Sequence, residues 1–171
     1  GRAAGIFGSW KAGFSQDWSA GGRRLSDSER EACGELMRAA KAKAQAERRA
    51  EHEGGARVAA VIWERAGAAS SVHPYLVAKG VQPHNLRQSG VELLVPLFDI
   101  HGLLWNVQSI RPDGTKLFRK GARAGGLYSP IGDLMNPARL LICEGWATGA
   151  TLHEESALPV LCAMNAGDLL P

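Results

Sequence analysis

Little in this sequence provides for covalent or metal cross-links. Three cysteines, Cys33, Cys143 and Cys162, stand among 171 residues. No two form a C-x-x-C pair, and their spacing with the five histidines fits no zinc site. That argues against a disulfide-stapled secreted module and against structural zinc, and makes a reduced, cytosolic protein the expectation. Long apolar runs are missing as well. No window holds about 18 uninterrupted apolar residues, so no membrane span is expected. The opening GRAAGIFGSW lacks the apolar stretch of a secretory signal. What remains is an ordinary globular composition, 45% hydrophobic and 22% charged, too apolar for a disordered chain. The length suits one domain or two small ones.

The net charge of +3 says little alone, but its placement says more. Between Trp105 and Gly126 stand Arg111, Lys116, Arg119, Lys120 and Arg123 against Asp113, a local +4. From Asp133 onward Arg139 faces Asp133, Glu144, Glu154, Glu155 and Asp168, a local −4. A basic stretch followed by an acidic one suits a protein that holds a polyanion beside a cation site. The alternative is two solvated surfaces without a partner.

Residues 1–25 are irregular, with alternation that fits one or two short strands. Trp10, Phe14 and Trp18 could stack on bases, although core or edge packing is the favoured reading. Ser26 and Glu29 form a capping box that opens a helical segment over 26–67, dense in Ala, Glu, Lys and Arg. Its apolar stripe is thin, so it should be exposed and act as a spacer rather than a docking arm. Gly54-Gly55 lowers helix propensity by roughly 2 kcal/mol and is expected to be a hinge or a break. Beyond it, Val58, Val61, Ile62 and Arg65 share one face, and Gly67 is the expected stop. VHPYLVAKG at 72–80 reads as a short helix, with Pro74 in its first turn and Gly80 just after its end; His73 caps or packs there. Over 92–118, apolar runs broken by Asp99–Gly102 and Pro112-Asp113-Gly114 predict a three-stranded antiparallel meander. With its basic cluster it makes up a small basic β-subdomain at 68–135. From 139, RLLICEG, WATGATLHEE and LPVLCAM read as β-α-β. Such wholly apolar strands imply a parallel sheet covered on both faces. The fold class is α/β with an α+β N-terminal part.

The chemistry concentrates at Glu144-Gly145. Open α/β sheets bind ligands at the carboxyl ends of their strands, and Glu144 is placed at such an end. Gly145 lets the chain turn and a phosphate or metal approach. Thr148 and Gly149 lie near the next helix start, where free N–H groups favour anions. A carboxylate for Mg²⁺ or for proton transfer beside a phosphate site is one reading; a solvated carboxylate or helix cap is the other.

ICEGWATGATL at 142–152 closely resembles the EGYATG or EGYATA motif of plasmid and satellite-phage primases of the TraC, Sog and alpha-protein kind. It is similar in style to the EGYMD segment of the bacterial primase DnaG. Trp146 stands where Tyr is usual. HPYLVAKGV, LLVPLFDIHGLLWNVQSI and PDGTKLF look like the segment that precedes the Toprim domain in phage-type primases, and Pro96, Asp99, Gly102, Arg111 and Lys116 echo a basic DnaG run. The resemblance covers roughly 58–171. It implies that 136–171 is the N-terminal part of a Toprim domain with a Rossmann-like parallel β-α-β unit. It implies a DNA primase that makes short primers on single-stranded DNA from nucleotide triphosphates, using Mg²⁺ (or Mn²⁺) and no zinc. Glu144 would be the metal ligand and general acid/base, and Arg111, Lys116, Arg119, Lys120 and Arg123 would hold template and nucleotide phosphates. A fused or associated helicase and the cytoplasm of a bacterial host go with it, and no membrane. The second Toprim motif, DxD, is absent, so the remaining metal acids are expected beyond residue 171. Two other readings stay open: another Toprim enzyme, a nuclease or topoisomerase, and a non-catalytic single-stranded-DNA-binding module.

Overall fold

Alternation in the first residues becomes a hairpin. The computed structural model describes residues 4–9, 14–19, 26–165 and 167. Strands β1 (Ala4–Ser9) and β2 (Phe14–Ser19) pair antiparallel, with Ala4 opposite Ser19 and Ser9 opposite Phe14. Trp10 lies outside the described residues. Helix α1 (Asp27–Arg65) follows. Its start is the expected capping box: the Ser26 N–H donates to Glu29 Oε2 at 2.8 Å and the Glu29 N–H to Ser26 Oγ at 3.3 Å. Only Ala59 of this helix is buried, as its charge-dense composition requires.

The chain divides into two compact units, Gly1–Gln45 and Ala46–Pro171. In the second, α1 differs from expectation in three ways. It runs unbroken through Gly54 and Gly55. A Cβ on Gly55 would sit 2.5 Å from Ala122 Cα and 2.7 Å from Gly121 O, so this glycine lets a loop backbone lie against the helix. The packed face is therefore Gly55 and Ala59, while Val58 and Val61 are exposed. Gly67 does not stop the helix with a left-handed residue; it opens a short strand, β3 (Gly67–Ala68).

Helix α2 (Pro74–Lys79) has Pro at its first turn and ends on Gly80 at φ 67°. His73 is its N-cap, its Nδ1 accepting from the Tyr75 N–H at 3.2 Å. Strands β4 (Arg87–Ser89), β5 (Glu92–Phe98), β6 (Leu104–Ile110) and β7 (Lys116–Phe118) complete an antiparallel sheet of order β3-β4-β5-β6-β7. The expected meander forms its β5-β6-β7 part, extended by two further strands. The turns fall as the Gly/Asp pattern demands, with Gly102 at φ 76° and Gly114 at φ 86°.

A second sheet, β8-β10-β9, is built from β8 (Ser129–Ile131), β9 (Leu141–Cys143) and β10 (Val160–Cys162). Helix α3 (Trp146–Ser156) joins β9 to β10, which run parallel with Cys143 opposite Cys162. β8 pairs antiparallel with β10; Ser-Pro-Ile carries no alternation that would announce it. Cover on both faces does not occur within the described residues, since Ile142 of β9 is 64% exposed. One apolar core holds this unit together. It runs from Tyr75 and Leu76 through Leu93, Val95, Leu97 and Ile110 to Ile131, Trp146, Val160 and Cys162. The protein is thus mixed α/β, with a long helix, an antiparallel sheet and a β-α-β unit.

Candidate functional site

Glu144 follows the last residue of β9 directly. Its main chain is pinned by the neighbouring strand end: the Ala163 N–H donates to Cys143 O at 2.9 Å and the Met164 N–H to Glu144 O at 2.6 Å. The side chain is exposed, and no hydrogen bond or ion pair engages it among the described residues. A carboxylate fixed at its root and open at its tip is what metal binding or proton transfer needs.

Next to it, α3 starts at Gly145 without a side-chain cap. Its first N–H groups therefore point outward with the positive end of the helix dipole, a place that favours an anion. Gly145 has φ −116° and ψ 150°, a conformation open to any residue, so the turn itself does not require glycine. A Cβ there would meet nothing within 4 Å, which leaves open space beside Glu144. Thr148 is exposed on the first turn. Gly149 has a different part. Its N–H is bonded to Gly145 O at 3.0 Å, so it is not one of the free donors. A Cβ on it would lie 2.3 Å from Cys162 Sγ and 3.2 Å from Cys143 Sγ. It is the flat spot that seats α3 on the two strands. Trp146 is 1% exposed and belongs to the core. Cys143 and Cys162 stand 3.7 Å apart, and burial pushes the Cys143 thiol up and the Cys162 thiol far up, as expected of inert core cysteines. The far end of α3 is tied down where Glu154 accepts from the Gln82 N–H at 2.8 Å and meets His84 Nε2 at 2.7 Å.

Among the described residues no group of three or more His, Cys, Asp or Glu side chains could hold a metal. Glu144 alone supplies one hard oxygen ligand. That donor is of the kind Mg²⁺ takes, with water and substrate phosphates completing its shell.

The basic cluster separates into parts with different work. Arg111 is held by Glu92, Nε to Oε1, at 3.2 Å. Arg123 folds back on its own loop, donating to Gly125 O at 2.8 Å and Gly126 O at 3.2 Å, with its guanidinium 5.5 Å from the centre of the Trp105 ring. Lys116 stands 5.7 Å above the Tyr75 ring and lines an open cleft of about 420 Å³ with Lys79, Pro112, Asp113 and Gly114. Arg119 and Lys120 are exposed, and neither side chain is in an ion pair among the described residues. Lys116, Arg119 and Lys120 are thus the cations whose charge faces solvent.

Two residues organise this surface, Asn106, which sequence reading passes over, and Asp99, which it reads only as a turn residue and as part of the basic run. Asn106, fully buried in the middle of β6, accepts from the Val107 N–H at 2.8 Å and the Arg119 N–H at 3.2 Å, and donates to Arg123 O at 2.8 Å. It fastens both ends of the basic loop to the sheet. Its signal is a lone amide inside an apolar run. Asp99 binds the turn before β6, accepting from the N–H groups of His101 and Leu103 and from Trp105 Nε1. The Trp105 donation, with those amides, holds its carboxyl below the ordinary value of 3.8. Lys79 likewise joins the cluster only through the fold.

No protein-family model and no solved structure matches the chain. Curated proteins do, among them two named DNA primase TraC, each from Escherichia coli. One is 32% identical over 176 residues, covering 99% of this chain and 16% of the relative. The other is 35% identical over 102 residues, covering 56% of this chain and 7% of the relative. The chain is thus related to primases of this kind and spans a small part of their length. No helix among the described residues is long and apolar enough to cross a membrane.

Proposed function

We propose that this chain is the core part of a Toprim-type DNA primase, which makes short primers on single-stranded DNA by Mg²⁺-dependent nucleotidyl transfer. The observation that carries the reading is Glu144, an open carboxylate on a pinned strand end beside an uncapped helix, in a chain similar over almost its whole length to DNA primase TraC. Glu144 accepts the proton of the 3′-hydroxyl as its oxygen attacks the α-phosphorus and pyrophosphate leaves, and it would contribute one ligand to the ion. When bound, Mg²⁺ neutralises triphosphate charge and makes the hydroxyl more acidic. The free N–H groups at the start of α3 and the Thr148 hydroxyl receive a phosphate. Lys116, Arg119 and Lys120 hold backbone phosphates of the template, and the loop carrying the last two is kept in place by Asn106 and Arg123. In this reading β9-α3-β10 is the Toprim part and the β3–β7 sheet is the template-guiding part.

The test is an assay that distinguishes the possible reactions. The full-length protein is supplied with single-stranded template, labelled nucleotide triphosphates and Mg²⁺, and the products are resolved by length. Short labelled primers that vanish with EDTA are expected. Cleaved template without any new strand would instead assign a nuclease, and relaxation of supercoiled plasmid supplied in a parallel reaction would assign a topoisomerase.

A further inference from the structure

The hairpin of the N-terminal unit carries a surface that Glu144 and the basic loop leave unused. Its register puts Phe14, Gln16 and Trp18 opposite Ser9, Phe7 and Gly5. Opposed residues of antiparallel strands share a face, and so do residues two apart along a strand. Phe7, Phe14 and Trp18 therefore lie on one face, with Phe7 diagonal to the other two. They are 52%, 51% and 48% exposed, so each ring keeps about half its surface in water. Their opposite neighbours are Gln16, Ser9 and Gly5, none of them another ring.

Three half-wet aromatic rings on one face are more than scattered surface apolarity, and such patches mark interaction sites. Residues two apart on one face are separated by roughly 7 Å, which places Phe14 and Trp18 about 13 Å apart with Phe7 between them on the next strand. A sheet face with rings at that spacing can receive two or three successive unpaired bases. The charge of the segment favours a polyanion: residues 1–24 hold Arg2, Lys11, Arg23 and Arg24 against Asp17 alone.

We propose that Phe7, Phe14 and Trp18 form a stacking platform for the bases of single-stranded nucleic acid, in addition to the basic loop. The choice of a single-stranded partner rests on the primase reading; the platform itself rests on the hairpin.

The test titrates the full chain with labelled single-stranded oligothymidine and with a DNA duplex, by fluorescence anisotropy at several salt concentrations. Each ring replaced, as in Phe7→Ala, Phe14→Ala or Trp18→Ala, should weaken single-strand binding roughly tenfold. Duplex binding should not change, and the salt slope should stay the same, because the rings bind no phosphate. Lys116→Ala with Arg119→Ala should do the reverse and lower the salt slope by about 1 for each phosphate no longer neutralised. The triple leucine variant, Phe7→Leu with Phe14→Leu and Trp18→Leu, keeps apolar bulk without a stacking face and should bind as weakly as the triple alanine variant. Unchanged single-strand affinity in either triple variant would overturn the platform, and so would rescue by leucine, which would mark an apolar packing surface. The primase reading is judged separately, by primer synthesis in Glu144→Gln, whose hairpin is untouched.

Discussion

Removing the Asn106 side chain takes a hydrogen-bond partner from three main-chain groups at once, the N–H groups of Val107 and Arg119 and the carbonyl of Arg123. Each such loss is worth about 1–3 kcal/mol where the group is buried, and the Arg119 end is near water. Asn106→Ala should therefore destabilise the protein by about 2–4 kcal/mol, read as a lower urea midpoint with an unchanged m-value. Asp99 gives a pH dependence. Its folded pKa is depressed, mainly by the Trp105 indole, so its contribution is present above its ordinary value of 3.8 and is lost as pH falls through the folded value. Urea midpoints of the native protein should fall as pH drops below about 4; Asp99→Asn should flatten that part of the profile, and an unaltered profile would refute the assignment. At this scale the sequence is half legible. Glu144 stands out because an acid and a glycine close an apolar run. Asn106 does not, and Asp99 shows only as a turn residue, without its partners. Two of the three partners of Asn106 lie 13 and 17 residues away, and those of Asp99 lie in a turn whose hydrogen bonds no pattern displays.

Elements are easier to read where their signals are local. The capping box at Ser26, the Pro74 start and Gly80 end of α2, and the Pro112-Asp113-Gly114 turn all depend on residues within a few positions of each other, and each forms as expected. Gly54-Gly55 departs from expectation because its reason is tertiary. Helix propensity counts against both glycines, yet the backbone of Ala122 needs one of them. The two should separate on substitution. Gly54→Ala meets only the far end of Arg57 at 3.8 Å and should stabilise by about 0.5–1 kcal/mol. Gly55→Ala drives a Cβ into main chain and should destabilise by about 1–3 kcal/mol despite its better propensity. Thermal unfolding of the two variants side by side decides it, and equal shifts of the same sign would contradict the packing account.

For the whole molecule, the charge asymmetry of the sequence resolves into distinct tasks. Arg111 and Arg123 stabilise the surface they belong to, while Lys116, Arg119 and Lys120 present charge outward. Glu154 of the acidic half anchors α3, and Glu144 is left open. The apolar core runs unbroken from α2 through the antiparallel sheet to α3 and β10, so the open carboxylate is carried on a well-packed frame. That division of labour, more than any single motif, is what the primase account explains. Its most direct test is primer synthesis by the full-length protein carrying Glu144→Gln, under saturating single-stranded template. The account predicts that synthesis falls by roughly two orders of magnitude or more, with template affinity and unfolding midpoint unchanged. Synthesis retained within a few-fold of the native rate would contradict it.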